Sequence, residues 1–206
     1  MDKSIIALGL MSGTSMDGID ASLIRTDGEK IIDIIGNLYL RYDPELKNLL
    51  YNFSSKINSF KDLQFHQNEY ENLEREVTIK HAEISLKLCK EYNIKPQLIG
   101  FHGQTILHKP QENYSLQMGN AKLLSQLLRT DVVYQFRQND IKNGGDGAPL
   151  TPIYHHSIKK KLNFKKPVVF LNIGGIANFT FIDDDIFFAK DIGPGNCLMD
   201  LYIKKT

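Results

Sequence analysis

The run Leu10–Asp20, L-M-S-G-T-S-M-D-G-I-D, constrains this chain more than any other stretch. It follows the apolar Ile5–Leu8 and precedes the alternating Ile19–Ile24, so it predicts a tight turn between two strands. Gly13 and Gly18 permit backbone angles and close approaches that other residues resist. Ser12, Thr14 and Ser15 add hydroxyl donors, and consecutive backbone N–H groups in such a turn form an anion-binding nest. Asp17 and Asp20 suit a hydrated Mg²⁺ beside a phosphate better than the phosphate itself. That pairing points to a nucleotide site. An ordinary hairpin loop of Gly, Ser and Asp accounts for the same residues, and on local chemistry it comes first.

The chain has 206 residues, 42% of them hydrophobic, which suffices for a buried core and one or two domains. A formal net charge of +1 gives no support for a nucleic-acid partner. No apolar run approaches the roughly 18 residues of a membrane span, so no membrane partner is expected. Met-Asp-Lys-Ser followed by a strand-like run does not read as a signal peptide. Cys89 and Cys197 are isolated, with neither metal spacing nor a disulfide framework, as in a reducing cytoplasm, the expected location.

Apolar runs bounded by turns predict strands at Ser4–Leu10, Ile19–Ile24 and Ile31–Leu40, an antiparallel meander. Pro44 opens a helix to about Phe53. From Phe65 to Tyr92 the apolar positions Tyr70, Leu73, Val77, Ile84 and Leu88 share one helical face. Glu69, Glu76, Lys80, Glu83, Lys87 and Lys90 lie opposite, and His66 and His81 read as surface residues. A short strand Gln97–Phe101 ends at His102-Gly103-Gln104-Thr105, and polar strand ends are where open α/β sheets place ligands. A strand at Leu116–Asn120, a helix at Ala121–Arg129 and a strand at Asp131–Phe136 follow, the last leading to Arg137-Gln138-Asn139-Asp140. Asn143–Pro149 is a second glycine-rich loop, and Thr151–Lys161 reads as a helix with a basic end.

The pattern then restarts. Pro167–Asn172 is apolar, Gly174-Gly175 turns, Ala177–Ile182 alternates back, Asp183–Asp185 turns and Ile186–Ala189 is a third strand. Cys197–Lys204 reads as the first turns of a helix. This repeats the order of the first unit and predicts two domains, residues 1–150 and 151–206, in an α/β fold. A three-stranded meander needs helices on at least one face, so the second unit looks incomplete.

Three glycine-rich turns, near Gly13, Gly145 and Gly174, are placed to converge on a phosphate chain. Asp191, followed by Gly193-Pro194-Gly195, reads equally as a general base for phosphoryl transfer and as a cap of the helix near Asn196. Arg137 suits a bidentate carboxylate or phosphate contact, though a surface arginine is the plainer account. His102 and His108 lack clustered acids, which argues against a metal. Asp140 and Asp146 have no assignable role.

Five motifs in order resemble the signature of the anhydro-N-acetylmuramic acid kinase family: Gly9–Asp20, Gly100–Thr105 (G-F-H-G-Q-T), Gly144–Pro149 (G-G-D-G-A-P), Leu171–Asn178 (L-N-I-G-G-I-A-N) and Asp191–Asn196 (D-I-G-P-G-N). The resemblance implies an actin-like, RNase H-like fold of the sugar kinase–Hsp70–actin superfamily, with the first lobe complete and the second incomplete. It implies ATP-dependent phosphorylation of 1,6-anhydro-N-acetylmuramate with hydrolytic opening of the anhydro ring, in peptidoglycan recycling. It implies ATP phosphates cradled by Gly13, Thr14, Ser15, Met16, Asp17, Gly18, Ile19 and Asp20, with Mg²⁺ at Asp17 or Asp20. Gly174 and Gly175 would form the second phosphate hairpin, and Asp191 would be the base that activates water. Arg137, His102, Gln104 and Asn120 would meet the sugar, and a homodimer is within what the resemblance implies.

The chain departs from the family pattern at Ile192 (usually Thr), Asp146 (usually Gln), Gln135 (usually Asp) and Asn120 (usually Asp). Family members also continue well past residue 206. A truncated, non-catalytic remnant is therefore the alternative expectation, and completion of the second lobe by a separate polypeptide is a third.

Overall fold

A computed structural model describes residues 4–29, 32–184 and 186–203 of the chain. Ile31 of the expected third strand, Asp185 of the expected turn and Lys204 of the expected last helix lie outside the described residues. The chain divides into two compact units: Met1–Asp27 with Asp33–Gly147, and Gly28–Ile32 with Ala148–Thr206.

The first unit is built on a mixed sheet in the order β3-β2-β1-β4-β5, with β6 beside β4. β1 (Ile5–Ser12) and β2 (Gly18–Thr26) pair antiparallel from Ile5↔Thr26 to Ser12↔Ile19. The Gly13–Asp17 segment is thus the turn of a hairpin. β3 (Ile32–Arg41) lies on the outer side of β2. β1 runs parallel to β4 (Leu98–Lys109), which in turn runs parallel to β6 (Asp131–Tyr134). The α/β class with a mixed sheet follows from these pairings.

Helices cover this sheet. Pro44 at the first helical position and the Asp43 side chain, which accepts from the Leu46 N–H at 2.8 Å, start α1 (Pro44–Lys56). A short α2 (Phe60–Phe65) precedes α3 (Gln67–Tyr92), so the long helix begins after a break at His66 rather than at Phe65. Asn93 in the left-handed conformation ends α3, as a residue beyond a helix C-terminus commonly does. Leu46, Leu50 and Phe53 of α1 and Leu73, Val77, Ile84 and Leu88 of α3 join Leu8, Ile19, Leu23 and Ile99 of the sheet in one core. Each such side chain contributes about 1.5–3 kcal/mol on burial.

Three expectations about this unit are corrected. His81 is not a surface residue but fully buried. It lies on the apolar stripe itself, between Val77 and Ile84, and meets Phe101 edge-on at 5.0 Å, while α3 packs on β2 and on α4 (Ala121–Leu128). Nor does β4 end at His102–Thr105: it continues to Lys109 and pairs antiparallel with β5 (Tyr114–Met118), from Gln104↔Met118 to Lys109↔Tyr114. Gly103, at φ +73°, turns the strand from its parallel partners into that ribbon, and an added Cβ would sit 2.4 Å from the Met118 carbonyl oxygen. Finally, Arg137–Asp140 is helical. β6 stops at Tyr134, Gln135 takes a left-handed conformation, and α5 (Phe136–Lys142) begins at once.

The second unit holds α6 (Pro152–Lys161), a sheet of β7 (Val168–Ile173), β8 (Ile176–Asp183) and β9 (Ile186–Pro194), and α7 (Cys197–Ile203). The strands pair antiparallel in chain order. α6 covers one sheet face: His155 stacks on Phe170 at 4.6 Å and its Nδ1 lies 2.9 Å from the Thr180 hydroxyl. His156 stacks on Phe187. The Ser157 hydroxyl donates to the Glu29 carbonyl and the Lys161 ammonium to the Ile32 carbonyl, which joins Gly28–Ile32 to this unit. β9 runs through Pro194, past the expected end at Ala189, because β8 offers partners as far as Ile176 once a bulge at Ala177/Asn178 is absorbed.

Candidate functional site

The hairpin turn of the first unit is held from three directions. The Ser12 hydroxyl is fully buried, 2.5 Å from Gln104 Oε1 and 2.9 Å from the Gly18 carbonyl oxygen. Gln104 in turn donates from Nε2 to the Gly13 carbonyl at 2.9 Å. Met16, at φ 54°, donates its N–H back to the same carbonyl, and its side chain is buried in the core. The Tyr42 N–H donates to the Asp17 carbonyl at 2.9 Å. Gly18 admits no side chain: an added Cβ would sit 2.3 Å from the Leu40 carbonyl oxygen. Ile19 is fully buried.

What the turn presents outward is then limited. Thr14 and Ser15 are exposed at its tip, and Asp20 is exposed on β2 opposite Met11. The Asp17 carboxylate is paired with the Lys47 ammonium from the first turn of α1. Among the described residues no cluster of three or more acids, histidines or cysteines is built to hold a metal ion.

A second network joins α5 to β4. Arg137 donates from Nε to His102 Nε2 at 2.8 Å and from Nη1 to the Gly147 carbonyl at 2.9 Å. Because Nε2 accepts, the His102 proton sits on Nδ1, which donates to the Gly103 carbonyl at 2.8 Å. Burial, and next the Arg137 charge, push the His102 pKa down to about 4 against the pull of the Gly103 bond. Asp140, one helical turn beyond Arg137, accepts the Gly147 N–H at 2.8 Å. Gly145 lies so close that a Cβ there would sit 2.1 Å from the Asp140 carboxylate. The glycine-rich loop is thereby folded around Asp140, whose structural role the sequence had not disclosed.

A cleft of about 410 Å³ opens beside this network, lined among others by Tyr70, His102, Tyr114, Gln117, Gln135 and Gln138. Of the residues expected to meet a sugar, His102 faces the cleft. Arg137 is tied to it through His102. Gln104 is turned toward the Ser12–Gly18 turn. Asn120 accepts the Leu123 N–H at 2.8 Å as the cap of α4, and its own N–H donates to Thr78. Tyr114, Gln117 and Lys47 carried no sequence signal, since each acquires its neighbours only through tertiary packing.

In the second unit the Gly174-Gly175 turn joins β7 to β8. It is stapled to the end of β9: the Gly195 N–H donates to the Gly175 carbonyl at 2.9 Å and the Asn196 N–H to the Gly174 carbonyl at 2.8 Å. An added Cβ at Gly195 would sit 2.1 Å from the Gly174 oxygen. The two glycine motifs of this unit therefore form one structure. Asp191 is exposed within β9, opposite Asn178 at the bulge, and not beyond the strand's end as expected.

The sequence model of a protein family described as anhydro-N-acetylmuramic acid kinase matches residues 5–206. The chain is similar to the anhydro-N-acetylmuramic acid kinase of Pelagibacter ubique, 48% identical over 208 residues, which cover all of this chain and 56% of that protein. It is 38% identical to that of Bradyrhizobium diazoefficiens, over 98% of this chain and 56% of the relative. It is 39% identical to that of Rhodospirillum rubrum, over 99% and 53% respectively. The chain thus spans about half the length of the curated relatives it matches. Among solved structures, an exopolyphosphatase-like protein aligns over 99% of this chain at 11% identity and a TM-score of 0.42, too distant to bear on the fold.

Proposed function

The chain belongs to the anhydro-N-acetylmuramic acid kinase family, and on that premise we propose that it carries the phosphate loop and the base of an ATP-dependent sugar kinase. The observation that carries this reading is the Ser12–Gln104–Gly13 clamp, which fixes a glycine-rich turn with Thr14 and Ser15 at its exposed tip. Such a tip fits a nucleotide's phosphates. Thr14 and Ser15 carry hydroxyls at that exposed tip, and the one acid of the turn itself, Asp17, is paired with Lys47. Bound ATP with Mg²⁺ supplies the phosphoryl group. The cation would be held by one carboxylate, Asp20 or Asp17, with phosphate oxygens and water completing its shell.

In this reading Asp191 accepts the proton of a water that attacks the anomeric carbon of 1,6-anhydro-N-acetylmuramate. The bond from that carbon to the bridging oxygen breaks, and the oxygen, now O6, takes the phosphoryl group to give N-acetylmuramate 6-phosphate. The Gly174-Gly175 turn is read as a phosphate-binding hairpin in its own right. His102, Arg137, Gln104 and Asn120 serve the sugar, His102 by contact and Gln104 and Asn120 through the elements they hold. The fold is read as actin-like, with residues 1–150 a complete first lobe and 151–206 the opening part of a second. The family's setting is peptidoglycan recycling in the cytoplasm; no helix among the described residues is long and apolar enough to cross a membrane.

The chain spans only part of its relatives' length and leaves apolar strand residues of the second unit exposed, which favours a second reading in which residues 1–206 alone do not catalyse. Transition-state charge needs donors fixed around it in a site closed to water. ADP release by purified chain in the presence of ATP and the anhydro sugar tests both readings. Little or no turnover is expected. Substantial turnover that Asp191→Asn abolishes would establish that the chain suffices.

A further inference from the structure

Lys47 stands at the end of its helix where a cation is least favoured. α1 begins at Pro44, and its first turn carries the positive end of the helix dipole, which suits an acid such as Glu45. The Lys47 ammonium goes instead to the Gly13–Asp17 turn, where it donates to the Asp17 carboxylate. Neighbouring contacts fix this meeting. Gly18 lies against the Leu40 carbonyl at the end of β3. The next residues then hold the turn and start the helix together: the Tyr42 N–H donates to the Asp17 carbonyl at 2.9 Å, the Asp43 side chain caps α1, and the Asp43 carbonyl accepts the Lys47 N–H at 3.0 Å. α1 therefore starts in fixed register with the turn. Yet the pair is open to a ligand, with side chains 37% exposed at Lys47 and 48% at Asp17. An ion pair this exposed is weakly held, so either partner exchanges readily for a stronger one.

The geometry points to Lys47 as a phosphate-binding residue, one that leaves Asp17 for a phosphate oxygen when a magnesium-bound polyphosphate reaches the Thr14–Ser15 tip. The inference rests on reading that tip as a phosphate loop. Leu10–Asp20 contains no lysine or arginine, so the loop offers a polyphosphate hydroxyls and backbone N–H groups but no positive charge of its own. Lys47 is the cation that the fold brings to the turn's acid. Arg137 already directs Nε to His102 and Nη1 to the Gly147 carbonyl. Asp17, left alone, would repel a phosphate, and it passes to the hydration shell of the accompanying Mg²⁺, a cation usually held by one or two carboxylates with phosphate oxygens. The exchange keeps both charges paired, and a charge-assisted bond to phosphate replaces one to a carboxylate.

Magnesium tripolyphosphate is the probe, titrated into the full chain while the Thr14, Ser15 and Met16 amide resonances are followed. Saturable shifts at Thr14 and Ser15 are expected. Lys47→Met is expected to weaken that binding about tenfold or more, and Lys47→Arg to retain most of it. Asp17→Asn separates a ligand from a strut, independently of Lys47→Met. It removes the acid and releases Lys47, so metal-free tripolyphosphate is expected to bind roughly several-fold more tightly than to the parent chain, with the benefit of Mg²⁺ reduced. A pair that only braces the turn predicts instead that Lys47→Met and Asp17→Asn weaken binding equally, and that result would overturn the proposal. Shifts that Lys47→Met leaves at full affinity would also defeat the role of Lys47 while sparing the phosphate loop. Absence of any shift at Thr14 and Ser15 in the parent chain would defeat the phosphate-loop reading itself, and the role of Lys47 with it.

Discussion

The Arg137 guanidinium donates from Nε to His102 Nε2 at 2.8 Å while its Nη1 donates to the Gly147 carbonyl at 2.9 Å. One planar fork therefore ties the G-F-H-G-Q-T strand to the G-G-D-G-A-P loop. Lysine carries a point charge with no such fork. Arg137→Lys is expected to loosen the loop, read as at least a several-fold faster exchange of the Gly147 amide, with stability reduced by about 1–3 kcal/mol. Unchanged exchange would mean that Asp140 alone holds the loop.

His102 and His81 set a pH dependence. Both pKa values are pushed down to about 4, in each case first by burial. The folded state thus holds the neutral rings, whereas the unfolded chain takes up protons near pH 6.5. Stability is complete above about pH 6.5, falls as pH drops toward 4, and levels off below. The loss is about 3 kcal/mol per ring at most, at ~1.4 kcal/mol per pH interval. Urea unfolding at pH 7 and pH 4.5 checks the sign, and His81→Phe is expected to flatten part of the slope. His81 Nδ1 is used on the Val77 carbonyl at 2.7 Å and its buried Nε2 has no partner among the described residues.

Gln104→Ala removes one of the two acceptors beside the buried Ser12 hydroxyl and the side-chain donor to the Gly13 carbonyl together. A loss of about 1–3 kcal/mol is expected, with faster exchange of the Met16 amide as the turn loosens. Gly18→Ala is expected to destabilise by a similar amount for a different reason, the clash with Leu40. Thermal unfolding of both variants separates neither, but exchange at Met16 does, since only Gln104→Ala frees the Gly13 carbonyl.

Asn120→Ala tests whether this residue serves the fold or a sugar. Loss of the α4 cap predicts about 1 kcal/mol of destabilisation. Asn120→Asp retains a capping oxygen and is expected to restore most of it. A sugar-affinity change in Asn120→Asp at unchanged stability would assign it a direct contact.

Phe53→Ala removes the largest fully buried side chain of α1 and is expected to cost about 3–5 kcal/mol in a denaturation experiment. A loss below about 1 kcal/mol would mean that the core collapses readily around α1.

Strands and caps were readable because their causes are local. Pro44 and the alternation after Gly18 each act on the chain within a turn of themselves. His81 was misread by residue type rather than hidden: its spacing from Val77 and Ile84 puts it on the apolar face of α3, where it packs edge-on against Phe101 of β4 at 5.0 Å. The length of β4, by contrast, was hidden. Nothing near His102 announces that Gly103 redirects the strand onto β5, since the partner residues Tyr114–Met118 come later in the chain.

By itself, the sequence determined the family, the hairpin at Gly13–Gly18 and the helical faces, because periodicity and turn chemistry act over a few residues. Only the tertiary structure decided which polar groups those elements bring together. Gln104 meets Ser12, Arg137 meets His102, and the Gly174-Gly175 turn meets Gly195 across separations that no local rule spans. Burial makes each of these pairings matter, because a buried donor or acceptor left unpaired is costly, and only the folded sheet decides which groups are buried.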